Sequence, residues 1–119
     1  MQRLLLWAII LPAVLAADPT AMVADEAPRA AVRVVEPPFR PPQTWTYEPS
    51  ALTVKVGSTV TWTNSGAVIH TVTADDRKSF DSGMIRPKAS FSLTPRSPGT
   101  FAYHCIYHPW MKGTLTVAP

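Results

Sequence analysis

The feature that most constrains this chain is a series of short apolar/polar alternations, each closed by turn residues, running from Thr44 to the C-terminus. Leu52, Val54 and Val56 share one parity, while Thr53 and Lys55 take the other. Val60 and Trp62 alternate with Thr59, Thr61 and Thr63. Phe91 with Leu93, Phe101 with Tyr103 and Cys105, and Leu115 with Val117 repeat the pattern. Successive side chains of a strand point to opposite faces, so such segments bury one face and wet the other. Pro49-Ser50, Gly57-Ser58, Asn64-Ser65-Gly66 and Pro95 to Gly99 supply the turns. About eight half-buried antiparallel strands, with no helical period between them, predict an all-β fold: a β-sandwich with Greek-key connections.

The same parity places the reactive side chains. Cys105 follows Phe101 and Tyr103 on the buried face, so His104 points away and reads as an exposed strand histidine. Val68, His70 and Val72 share parity, which sends His70 toward the core and Thr71 and Thr73 outward. An imidazole among valines needs a polar partner or a metal. The loop Cys105-Ile106-Tyr107-His108-Pro109-Trp110-Met111 then adds a second imidazole and a thioether. Thiolate, two imidazoles and a weak axial thioether are the ligand set of a blue-copper electron-transfer site. The expected metal ligands are therefore His70, Cys105, His108 and Met111, around one type 1 copper that alternates between Cu(I) and Cu(II). Zinc fits less well, because Met is a poor zinc ligand. Met84 belongs to no tight ligand spacing and reads as packing. Asp75-Asp76-Arg77-Lys78 reads as a solvated loop.

Several segments of the chain resemble a small cupredoxin, of the amicyanin and plastocyanin branch. They are Tyr47-Glu48-Pro49, Leu52 to Gly57, Val60 to Asn64, His70-Thr71-Val72, Phe80 to Gly83, Pro98-Gly99-Thr100, and the ligand loop into Lys112-Gly113. The resemblance covers Tyr47 to Val117, and the Cys-x2-His-x2-Met spacing is similar to the short amicyanin loop. It implies a one-electron carrier between redox partner proteins such as a cytochrome, a dehydrogenase or an oxidase. It also implies that the His108 ring edge lies near solvent in an apolar patch, for which Pro109, Trp110 and Met84 are candidates. Two positions depart from the relatives: Thr71 stands where they usually carry Asn, and Ile69 where they often carry Pro. A Thr hydroxyl is still able to bond across to the ligand loop.

The chain's 119 residues allow one domain. Residues 1–17 read as a secretory signal peptide. Arg3 forms the basic end, Leu4 to Leu15 the apolar stretch, and cleavage is expected near Ala16 or Ala17. The apolar run is shorter than the roughly 20 residues that span a bilayer, so no stable membrane insertion is expected. Residues 18–43 form a Pro/Ala-rich arm or linker, in which Ala31 to Val35 reads as a short edge strand. Residues 44–119 are the expected cupredoxin-like domain. A periplasmic or otherwise exported monomer follows.

Counting residues narrows the function further. One cysteine excludes an intramolecular disulfide and a two-thiolate copper centre. Three histidines leave only His104 beyond the blue site, too few for a trinuclear cluster. No basic stripe is present, which argues against nucleic acid. The mild positive charge favours an acidic partner. An enzyme would need an open coordination position, so none is expected and no catalytic residue is assigned. The competing reading is a periplasmic copper-binding or delivery protein, which would release Cu(I) to its recipient.

Overall fold

The structure is a computed structural model that describes residues 10, 12 and 28–119. The expected signal peptide and the first part of the arm lie outside the described residues, apart from residues 10 and 12. Among the described residues no helix is long and apolar enough to cross a membrane.

Among the described residues eight strands follow in order: β1 (Arg29–Val35), β2 (Thr46–Glu48), β3 (Ala51–Lys55), β4 (Thr59–Asn64), β5 (Thr73–Ala74), β6 (Ser90–Leu93), β7 (Gly99–His104) and β8 (Lys112–Ala118). A short 3-10 turn, Pro42–Thr44, precedes β2. The strands form two four-stranded sheets, ordered β2-β1-β4-β6 and β3-β8-β7-β5. The all-β sandwich is as the alternation predicts. The pairing is not wholly antiparallel, however: β1 runs parallel to β4, and β3 parallel to β8.

The arm is the main difference from expectation. β1 begins at Arg29 and is no edge strand. It lies between β2 and β4, with Val34 opposite Tyr47 on one side and Asn64 on the other. Val32 and Val34 are buried, whereas Ala31 and Arg33 face solvent. The sandwich therefore starts well before Thr44. Composition hides this, because the prolines that suggest a linker all follow the strand or precede it.

The core fills from both sheets. Trp62 is fully buried, and its indole Nε1 donates to the Tyr103 hydroxyl at 3.2 Å across the sandwich. Burying a side chain of this size removes about 150–250 Å² from water, which stabilises by roughly 4–6 kcal/mol. The Tyr103 ring lies directly over Gly113 on the neighbouring strand, and a Cβ there would fall inside the ring. Tyr47 packs edge-on against Tyr103 at 4.9 Å and donates its hydroxyl to the Thr71 carbonyl at 2.5 Å. This contact fixes the segment around His70 from the opposite sheet.

That segment is not the regular strand the parity predicts. His70 makes an isolated bridge to Ile85, and Thr73 makes one to Asp81. Thr71 and Thr73 are buried, not outward-facing: Thr71 Oγ1 meets Ile106 N of the ligand loop, and Thr73 Oγ1 bonds Asp81. Val68, expected inward with His70, is exposed instead. Met84, read as packing, projects into solvent, while Phe80 and Ile85 of the same segment fill the core.

Candidate metal centre

At one end of the sandwich β7 delivers Cys105 to the base of the ligand loop. The loop closes through its own backbone. Cys105 N donates to the Met111 carbonyl at 3.1 Å, His108 N to the Cys105 carbonyl at 3.3 Å, and Met111 N to the His108 carbonyl at 2.8 Å. Pro109 fixes one φ angle between the last two ligand candidates. These bonds make the loop a compact turn and hold the Cys105 and Met111 side chains on the inner side.

His70 enters from the other sheet connection. Its ligating atom, that of His108 and Sγ of Cys105 all lie within 4.8 Å of one another. Sγ stands 3.4 Å from His108 Nδ1 and 3.9 Å from His70 Nδ1. Cys105 and His70 are wholly buried and His108 is half-buried. Met111 is buried at the close of the same loop. His104, expected to point away, does so: its Nδ1 bonds Asp75 Oδ1 at 2.6 Å on the outer face.

The orientation of His70 comes from a residue the sequence reading assigned to the linker. Glu36, one residue past β1, places Oε1 3.0 Å from His70 Nε2. It also accepts from Ala67 N at 2.6 Å and Val68 N at 3.1 Å. A carboxylate only accepts, so His70 Nε2 carries a proton; in the charged ring Nδ1–H donates to Sγ, and in the neutral ring Nδ1 is left for a metal. Gly66 makes this possible, since a Cβ at 66 would occupy the space of the Glu36 carboxylate. Trp45, just before β2, packs edge-on against both imidazoles, 5.7 Å from His70 and 5.0 Å from His108. Neither contact has a local signal, because both cross many residues of chain. The glycine in the turn before His70 is the one hint of a close approach.

Thr71 acts as anticipated. Its Oγ1 accepts from Ile106 N at 3.0 Å, and its own N–H points at Sγ at 3.4 Å. Burial raises the Cys105 pKa, but bonds from His70, the N–H groups of Thr71 and Tyr107, and His108 outweigh it and bring the thiol to about 6. The folded chain thus presents a thiolate at neutral pH, which is the species that binds metal. Burial opposes a charged His70, yet its bonds to Cys105 and Glu36 raise its pKa. Burial likewise opposes a charged Glu36, but the bonds from Ala67, His70 and Val68 prevail and hold it below its usual range. Thiolate, two imidazoles and a nearby buried thioether are the donor set of a type 1 copper centre.

The chain is similar to known proteins. An amicyanin from Paracoccus denitrificans is 39% identical over 75 residues, covering 60% of this chain and 57% of that protein. The chain thus spans little more than half the length of that relative. A plastocyanin from Scenedesmus fuscus is 34% identical over 83 residues, covering 60% of this chain and 85% of that one. Among solved structures, a purple cupredoxin from Nitrosopumilus maritimus superposes with a TM-score of 0.66 at 29% identity. That match covers 75% of this chain and 99% of the other. The Cupredoxin-like domain family matches residues 4–117. The chain belongs to the cupredoxin family.

Proposed function

We propose that this protein is a one-electron carrier whose type 1 copper is held by His70, Cys105, His108 and Met111. The convergence of Cys105 Sγ with the two imidazoles, in a buried and hydrogen-bonded frame, carries the reading. Copper bound there would supply one-electron exchange between Cu(II) and Cu(I). The residues supply the rest. Glu36 keeps the His70 proton on Nε2 and so leaves Nδ1 for the metal. Thr71 ties the ligand loop to the His70 segment, and the loop's own backbone bonds resist its opening. A frame that holds the same ligands in both oxidation states lowers the reorganisation that opposes electron transfer. His108 is the one half-exposed ligand, and Ile106, Tyr107 and Trp110 border it with apolar surface. Its ring edge is therefore the port for electrons. The partners are other redox proteins, met in an exported compartment, and the protein turns over no substrate of its own.

The test is to add Cu(II) to the purified protein and record its visible absorption and electron paramagnetic resonance. An intense thiolate-to-copper band with narrow copper hyperfine splitting is expected. A pale product with ordinary splitting would remove the carrier reading and leave copper delivery in its place.

A further inference from the structure

We infer that the proline-framed loop joining β1 to β2 is a specificity arm of the docking face. The partner it fits is a redox protein whose apolar contact patch is rimmed by carboxylates. This rests on the electron-carrier reading above.

The loop is a fixed structure. Pro37, Pro38, Pro41 and Pro42 restrict its backbone. It is anchored at both ends to the metal centre. Glu36 bonds His70, Ala67 and Val68 at the start, and the Pro42 carbonyl accepts Trp110 Nε1 at 2.9 Å. Thr44 ties back to the Pro41 carbonyl through both N and Oγ1. At the apex Phe39 has a φ of 61° and is completely exposed. A bulky side chain takes the left-handed region only where its surroundings hold it there, and such residues concentrate at functional sites. Phe39 fills no core. Its loop is bonded at one end to Val68 N and at the other to Trp110 Nε1, and Val68, Trp110 and the neighbouring Ile106 and Tyr107 are themselves exposed. Exposed apolar side chains gathered around one site mark a contact face.

Charge selects the partner. Arg40 adjoins Phe39, Arg86 follows the residue that bridges His70, and Lys112 follows Met111; all three are exposed. The carboxylates near this end each have intramolecular partners, although Asp75 and Asp81 remain exposed. Glu36 holds His70, Asp75 holds His104, and Asp81 accepts from Thr73 Oγ1 and Gly83 N. An apolar centre inside a positive border complements an acidic rim. A second copy of this chain fits poorly, since a two-fold contact would set the same cations against themselves.

The experiment measures electron transfer from the copper-loaded Cu(I) protein by stopped flow. The oxidants are two c-type cytochromes of matched potential, one with an acidic and one with a basic contact face, and a small cobalt(III) phenanthroline complex. The acidic cytochrome should react roughly tenfold faster or more at low salt, and the advantage should fade as salt rises. Phe39→Ala should slow that reaction about fivefold, leaving the visible spectrum and the cobalt reaction unchanged. Arg40→Glu should slow it at low salt and little at high salt. Equal rates for the two cytochromes would overturn the inference, as would indifference to both substitutions. So would a dimer in sedimentation that Phe39→Ala dissolves, because Phe39 would then serve self-association. A parent protein with neither the thiolate-to-copper band nor a cobalt reaction would instead fail the carrier reading, before any cytochrome is added.

Discussion

Removing the Glu36 carboxylate should unfold the metal-free protein more readily, by an amount that its three bonds define. The side chain is only 11% exposed and its imidazole partner 0%. Water therefore cannot replace the bond to His70, and a charge-assisted bond lost at such a site costs about 1.5–3 kcal/mol. The Ala67 and Val68 amides lie in an exposed turn and rehydrate, adding about 1 kcal/mol at most. Glu36→Ala should thus cost about 2–4 kcal/mol, which lowers Tm by roughly 10–25 °C in a domain of this size. Glu36→Gln keeps an acceptor for His70 but turns its amide toward the Ala67 N–H, so about 1–2 kcal/mol is expected. The pH dependence has a defined sign. Glu36 is held below its usual 4.5, so its contribution is present above that pH and is lost as pH falls through the lower folded value. His70 is raised above 6.5, so its contribution is full below that pH and is lost as pH rises through the folded value. The deficit of the variants should be greatest between these limits. Urea unfolding of the copper-free proteins, followed by tryptophan fluorescence at pH 3, 5.5 and 8, measures it. Variants within about 0.5 kcal/mol of the parent at pH 5.5 would refute the reasoning, and so would a deficit that does not change with pH.

Other outcomes follow from the same geometry. Thr71→Val conserves shape but leaves Ile106 N–H without its acceptor, so a loss of about 1–2 kcal/mol is expected in denaturant unfolding. An unchanged midpoint would show that the hydroxyl does not tie the two segments. Gly113→Ala drives a methyl group into the Tyr103 ring and should lower stability by about 1–3 kcal/mol or more, read as a fall in Tm. A Tm equal to the parent's would contradict the close approach. In the metal-free protein the ultraviolet thiolate absorbance should appear with a midpoint at about 6, and His70→Ala should move that midpoint upward. A midpoint near the ordinary 9.0 would mean that the donors around Sγ do not act on it.

What was legible in the sequence was the local part. Alternation in Leu52 to Lys55, Thr59 to Thr63 and Leu115 to Val117 corresponds to real strands, because one buried face imposes a period of two; Val56, expected inward with Leu52 and Val54, lies past the end of its strand and is exposed. The ligand loop was readable because three donors fall within seven residues of a tight turn. Long-range contacts left no such trace. β1 is set by its pairing with β4, some thirty residues away, so its place between two strands could not be read from Ala31 to Val35 alone. In the sequence Glu36 is one acid before a proline run, and Trp45 one aromatic among threonines. Each meets the centre only after the sheets have closed. The burial of Thr71 and Thr73 depends on contacts with Ile106 and Asp81, both distant in sequence or in an irregular loop.

Gly66 has a consequence for how sequences of this kind can diverge. The space beside His70 admits either the Glu36 carboxylate or a side chain at 66, but not both. A single replacement of Gly66 would evict the acceptor of a buried imidazole, and a single loss of Glu36 would leave that imidazole unanswered. The two positions are therefore bound to vary together.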